Sequence, residues 1–266
     1  MIKTIKHDTL EYLVSDRITV PHGFTTRNGG VSAGYLSSMN IGANRGDTPE
    51  NVLENYRILG AALGFAPEDV VRTHQTHTDI VRRVYREDRG TGLLKPGFPD
   101  CDALITNEPE LALVITTADC TPVLLYDPVT GAVGAAHAGW RGTAADIAGK
   151  TVRAMVDQFG CDPADIRAAI GPNIGACCFE TDADVPNAML DAFGTEVQAW
   201  IRCAGEKYYV DLKQINALAL NRSGVKQIDI SCDCTACQPN RFWSHRVTRG
   251  VRGSQGAVIV CRGNGR

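Results

Sequence analysis

The stretch ADCTPVLLYDPVTGAVGAAHAGWRG, residues 118–142, decides how this chain is read. An apolar run at 123–126 meets a turn signal, Asp-Pro-Val-Thr-Gly at 127–131, and a second apolar run at 132–136. Two strand-like runs around a Pro/Gly turn predict a β-hairpin. If Asp127 pairs near Thr130 or Gly131, Cys120 falls almost opposite His137. Directly opposed residues carry Cβ atoms roughly 4.5–5.5 Å apart. A thiol and an imidazole at that distance can share a metal ion or act as nucleophile and base.

Working outward, a third ligand stands upstream in HQTHTDIV, residues 74–81. In an extended chain His74 and His77 point to opposite faces, so at most one joins the hairpin site. Gln75 and His77 share a face, and Gln75 is positioned to orient a ligand. His77, Cys120 and His137 together offer two nitrogens and one thiolate. That set suits zinc, and three protein ligands leave a fourth position open, as catalytic zinc requires. The competing account is an ordinary buried thiol and hydrogen-bonded histidines without metal.

Further motifs run along the chain: HGFTTRNGGVS (22–32), MNIG (39–42), CDALIT (101–106), IGPNIGACCFE (170–180), VDL (210–212) and CTACQPNRFWSHR (234–246). With TTADCTPVLLYDP, AAHAGWRGT and HQTHTDIV, they make the chain resemble the laccase-domain purine nucleoside phosphorylase family. Its members are also called polyphenol oxidases, and some are described as peptidoglycan editing factors. The resemblance implies a zinc held by His77, Cys120 and His137, with copper as the alternative metal. It implies one domain over 1–266, an α+β fold with helices outside packed mixed sheets, and a cytoplasmic enzyme. The implied reactions are phosphorolysis of adenosine, inosine and S-methyl-5′-thioadenosine, and deamination of adenosine. Two departures bear on substrate detail. The chain has Phe-Trp-Ser-His-Arg at 242–246 where the family often has Phe-Phe-Ser-Tyr-Arg. It has Gly-Val-Arg-Gly-Ser at 250–254 where Gly-Arg-Thr-Gly-Arg is common.

The chemistry assigns roles to other residues. Zinc acidifies water toward neutral pH, which suits attack at C6 of adenosine. Phosphorolysis instead needs a captured anion and a polarised leaving base. Arg27, Arg141 and Arg246 are the phosphate candidates, and Asn40, inside MNIG, joins the substrate-binding set. Arg27 ranks first because Gly29 and Gly30 beside it let backbone amides approach a ligand. Asp119 and Asp102 are candidates for proton transfer or for orienting ligands. Each has a structural counterpart: an arginine beside Trp140 can be a bridge, and Asp119 can face away from Cys120.

Bulk properties bound the rest. The chain has 266 residues, 44% of them hydrophobic and 21% charged, enough for a full core in one domain or two fused lobes. A net charge of −3 gives no footprint for DNA or RNA. The first residues lack the apolar core of a signal peptide, and no apolar run is long enough to span a bilayer. Ten cysteines without a secretion signal read as reduced thiols. Monomer and homodimer both remain open.

Strands are expected near 10–15, 79–85, 102–106, 111–117, 122–127, 132–137, 166–170, 228–230 and 257–261. Thr48-Pro49-Glu50 predicts a capped helix to about Leu63, with Leu53, Tyr56, Leu59 and Leu63 facing inward. A helix is expected after Gly142, with Ile147, Val152, Met155 and Val156 inward, to about Gly160. Others are expected at 183–192 and from Asp211 to about Arg222, with 86–99 as a surface loop. Strands mostly follow strands, so an α+β sandwich is expected rather than a doubly wound parallel sheet.

Cys232, Cys234 and Cys237 include a Cys-x2-Cys step. A closed zinc site needs four ligands; His245 is the candidate fourth, but the usual second pair is missing, so solvent-shielded thiols or a redox-sensitive cluster are expected there rather than a separate metal. Cys177-Cys178 is too strained for a routine disulfide, and tight packing accounts for its motif. Three rival functions stand beside the phosphorylase. A multicopper oxidase needs more histidines than the six at 7, 22, 74, 77, 137 and 245, so one copper at the zinc site is the most that fits. The others are a metal-free Cys120–His137 hydrolase acting on peptidoglycan precursors, and a non-catalytic module braced by zinc.

Overall fold

The structure, a computed structural model, describes residues 1–263. The chain opens with the strands β1 (Ile2–His7), β2 (Leu10–Ser15) and β3 (His22–Thr25), then helix α1 (Pro49–Leu63). Strands β4 (Val70–Arg72), β5 (Val81–Arg83), β6 (Ala103–Thr106), β7 (Ala112–Thr117), β8 (Thr121–Tyr126) and β9 (Val133–Ala138) follow. Helices α2 (Trp140–Ala144) and α3 (Ile147–Phe159) lead to β10 (Arg167–Ile170), β11 (Glu180–Thr181) and α4 (Asp184–Phe193). The rest comprises β12 (Ile201–Ala204), β13 (Lys207–Val210), α5 (Leu212–Arg222), β14 (Gln227–Ile230), α6 (His245–Thr248) and β15 (Gln255–Val260).

Two six-stranded mixed sheets stack face to face. One has the order β1-β2-β3-β15-β7-β4 and the other β14-β10-β8-β9-β6-β5; a small sheet, β11-β13-β12, lies apart. The core between the large sheets is built from Leu13, Phe24, Leu113, Ile115 and Ile259 on one side and Leu104, Leu124, Val133 and Ala169 on the other. Alternation along each strand sends the neighbours outward. Val114 and Val258 therefore face α1, through Tyr56 and Leu59. Val123, Leu125 and Ala136 face α3 and α5, through Val152, Met155, Ile215 and Leu220. Because each sheet is covered on both faces, its central strands are apolar at nearly every position. The result is the α+β layered sandwich that the sequence predicts. Among the described residues no helix is long and apolar enough to cross a membrane.

The local signals act as expected in most places. Thr48 caps α1 through Asn51 N, and Gly64 ends it in the left-handed conformation at φ 71°. Its buried stripe uses Val52 where Leu53 was expected; Leu53 is only half-buried. The helix expected after Gly142 is two helices. Asp146, at φ 60°, breaks the run and accepts from Gly149 N to start α3.

The hairpin of β8 and β9 forms, but two residues out of the expected register. Asp127 N donates to Ala132 O and the Asp127 carboxylate accepts from Val129 N, so the turn closes later than Thr130 or Gly131. Pro122, not Cys120, lies across from His137. A slip of two keeps every side chain on its face, so Cys120 and His137 still come together at the end of the hairpin.

Candidate metal centre

Three segments converge at the end of the β8–β9 hairpin. His137 comes from β9, Cys120 from the turn just before β8, and His77 from the loop between β4 and β5. Their ligand atoms all lie within 4.8 Å of one another. Cys120 Sγ is 3.8 Å from His77 Nε2, and the two imidazoles meet edge to face at 5.1 Å. His137 is buried, Cys120 is half-buried and His77 is open to solvent. Gly139 makes room for this convergence. A Cβ there would stand 2.6 Å from His77 Cδ2 and 3.3 Å from Cys120 Sγ.

Asp102, wholly buried just before β6, organises the group. Its Oδ1 accepts from His137 Nδ1 at 2.7 Å and from His77 N at 3.1 Å. Its Oδ2 accepts from Thr76 N, Thr78 N and the Thr78 hydroxyl. With Nδ1–H committed, His137 presents Nε2 to the cluster, the usual arrangement behind a ligating histidine. Burial works against the Asp102 charge. The hydrogen bond and charge of His137, with the bonds from Thr78, outweigh it and hold the pKa down to about 2. Burial alone would raise Cys120, but the charge and hydrogen bonds of His137 and His77 bring the thiol well below its ordinary value. For His137, burial is outweighed by the Cys120 sulfur and the Asp102 carboxylate, which raise it.

The segment carrying His77 is not extended. His77 has φ 65°, and a bend at Thr76-His77 replaces the expected alternation. The three backbone bonds to Asp102, from Thr76, His77 and Thr78, hold that bend. His74 instead bridges Cys101 in the backbone and meets Asp100 at 3.2 Å. Gln75 does not touch a ligand. Its side chain pairs with both backbone groups of Thr116, tying the loop to β7.

The remaining candidates divide. Asp119 sits at φ 88° with both carboxylate oxygens taken up by the C-terminal segment. It accepts from the Thr235 hydroxyl, the Ser244 hydroxyl and Arg246 N, and so holds the C-terminal loops. Arg27 lies over Trp243 at 3.9 Å and donates to Ser37 O and Pro239 O. The neighbouring amides of Gly29 and Gly30 both donate to the Ser38 hydroxyl. A Cβ on Gly29 would stand 2.3 Å from Leu10 Cα, so those glycines serve backbone packing. The expectation of amides free to meet a ligand there is corrected. Asn40 is buried and bonded to Gly42, Ser254 and Asp47. Arg246 donates to Cys178 O and Glu180 O on a cleft wall, and Arg141 stacks on Trp140 at 4.2 Å.

Two arginines stand at the centre without having been singled out from the sequence. A cleft of about 440 Å³ opens on His77, Cys120 and His137, and Arg45, Arg72 and Arg252 line it. A second, of about 420 Å³, opens on His77 and Cys120 from the other side, lined by Ile174, Phe179, His245 and again Arg45 and Arg252. A small recess of about 100 Å³ beyond it is walled by Trp140, Arg141, Phe179 and Leu212. Arg252 Nε is buried without a hydrogen-bond partner among the described residues. Burial first, then the charge of Arg45, lowers its pKa to about 10. Arg45 and Arg252 line both clefts and make the potential there positive. The sequence signal was weak: single arginines in NRG and VRG, with no motif of their own.

Residues 21–262 match the family described as multi-copper polyphenol oxidoreductase laccase. The chain belongs to that family. It is 40% identical over 250 residues to a protein of Deinococcus radiodurans named purine nucleoside phosphorylase, covering 94% of this chain and 92% of that one. It is 38% identical over 242 residues to purine nucleoside phosphorylase YlmD of Geobacillus stearothermophilus, covering 89% and 88%. The crystal structure of YlmD from Geobacillus stearothermophilus superposes with a TM-score of 0.91 at 35% identity, over 97% of this chain and 98% of that one.

Proposed function

We propose that this chain is a zinc-dependent purine nucleoside phosphorylase. Its substrates are adenosine, inosine and S-methyl-5′-thioadenosine, with adenosine deamination as a second reaction. One observation carries the proposal: the His77–Cys120–His137 group sits where a cationic cleft meets an apolar recess. Relatives named for this activity support it.

The donor set fits zinc. Two imidazole nitrogens and one thiolate are borderline-soft ligands in the number that leaves a position open. Bound there, zinc supplies Lewis acidity and water acidified toward neutral pH. The chain's own residues do the rest. Asp102 fixes the tautomer of His137 and the backbone of His77. Arg252 and Arg45 hold phosphate in line with ribose C1′. The bond from C1′ to the purine nitrogen breaks as the phosphate oxygen bonds to C1′, and the electron pair leaves with the base. Phe179 and Ile174 offer an apolar wall for that base. Arg141 lines the same recess and can meet a polar edge. Deamination uses the same pocket without phosphate. Both substrates being small metabolites, the reading puts the chain in the cytoplasm.

The family's description raises copper. Of the six histidines only His77 and His137 enter the group, so a single copper on these three ligands is the alternative to zinc. The thiol of Cys120 beside His77 keeps one further reading open, a metal-free hydrolase. Chelator-stripped protein separates the cases. Activity should vanish and return with added zinc; turnover that survives full stripping contradicts the proposal and favours the thiol.

A further inference from the structure

The cysteine pair that the stretch 232–237 lacks is supplied from elsewhere in the chain. Cys177 and Cys178 follow Gly175 in the loop between β10 and β11; Cys234 and Cys237 lie in the loop after β14. The four sulfurs lie within 4.8 Å of one another. Cys237 Sγ is 3.5 Å from Cys177 Sγ and 3.4 Å from Cys178 Sγ. Cys232 does not join them, and His245 lines the cleft instead.

We propose that Cys177, Cys178, Cys234 and Cys237 form a second zinc site, closed by four thiolates and separate from the His77–Cys120–His137 centre. The distances favour a metal over a disulfide. A bonded pair stands about 2.05 Å apart and joins two sulfurs only. Here Cys237 is equally close to two partners. A tetrahedral zinc with bonds of about 2.3 Å spaces its sulfurs about 3.8 Å apart, inside the range observed. The surroundings suit a negative cluster. Gly175 N donates to Cys234 Sγ at 3.1 Å, a bond that stabilises a thiolate. A Cβ on Gly175 would stand 3.3 Å from Cys177 Sγ and from Cys234 Cβ, so the tight approach needs glycine. Zinc with four thiolates is doubly negative, and two cations bind the adjoining backbone. Lys213 Nζ donates to Asp233 O at 2.5 Å, and Arg246 donates to Cys178 O at 3.1 Å.

The site would clamp the two loops that build one wall of the cleft. Thr235 N donates to Asn173 O between them, and Ile174 and Phe179 of the first loop face the cleft. The metal is therefore structural, fixing the wall rather than touching substrate.

The test counts zinc per chain in protein purified under reducing conditions, with His77→Ala plus Cys120→Ala as the background that removes the first centre. That background should hold one zinc where the unaltered protein holds two, and cobalt in its place should show thiolate charge-transfer absorption. Adding Cys234→Ser and Cys237→Ser should drop the count to zero. A folded background protein with no metal overturns the proposal. So does a zinc retained after both cysteines are replaced, or a disulfide within the four found by alkylation and mass analysis.

Discussion

Two sulfur-containing clusters adjoin the loop that carries Ile174 and Phe179, and they differ in what they leave undone. His77, Cys120 and His137 come from three separate segments, are backed by a buried carboxylate, and open onto two clefts. The four cysteines come from two loops, have backbone amides and cations around them, and close on themselves. Three protein ligands leave a metal able to react, whereas four make it a brace. The contrast lies in side-chain count and support: three side chains backed by Asp102 in one cluster, four thiols in the other.

Cys120→Ala breaks the contrast most severely. It should abolish turnover, by on the order of 10³-fold or more, the scale of losing an electrostatic catalyst. The protein should keep its circular dichroism and one tightly held metal. Asp102→Asn tests the carboxylate behind the open centre. A loss of about 10–100-fold in metal affinity or activity is expected, as for groups that orient a ligand. Unchanged zinc binding would show that Asp102 only holds the loop. Arg252→Ala separates the two reactions. Removing a desolvated contact to an anion costs about 2–5 kcal/mol. Phosphorolysis should therefore fall by about 30-fold or more while deamination changes little. Arg27→Ala should instead lower Tm and affect both reactions alike, because its guanidinium donates to Ser37 O and Pro239 O. His74→Ala is the smallest expected effect. Its pair with Asp100 is exposed and worth about 0–1 kcal/mol, so metal and activity should stay near the unaltered protein.

The sequence carried the fold where periodicity and caps agreed. The Thr48 cap, the Asp211 cap and the apolar runs of β7, β8 and β9 were all legible because each is a local signal. The short strands β11, β12 and β13 were not; β12 and β13 are a local hairpin closed between Ala204 and Lys207 at mostly exposed or half-buried positions that no alternation marks, and β11 pairs with β13 from farther along the chain. Strand alternation, which sets His77 apart from His74 in the sequence, does not occur there; a bend held by Asp102 is what brings His77 beside Cys120 and His137. Arg45, Arg252 and the four-cysteine cluster were hidden for one reason. Each depends on segments far apart in sequence that only the fold brings together, as the pairing of β10 with β14 does for the two cysteine loops.

The central claim is that the open centre serves phosphorolysis. Inosine incubated with the unaltered zinc-loaded protein, with and without inorganic phosphate, tests it most directly by product chromatography. Hypoxanthine and ribose 1-phosphate should appear in equal amounts, and only with phosphate. Hypoxanthine formed as fast without phosphate, or none formed with it, would contradict the account.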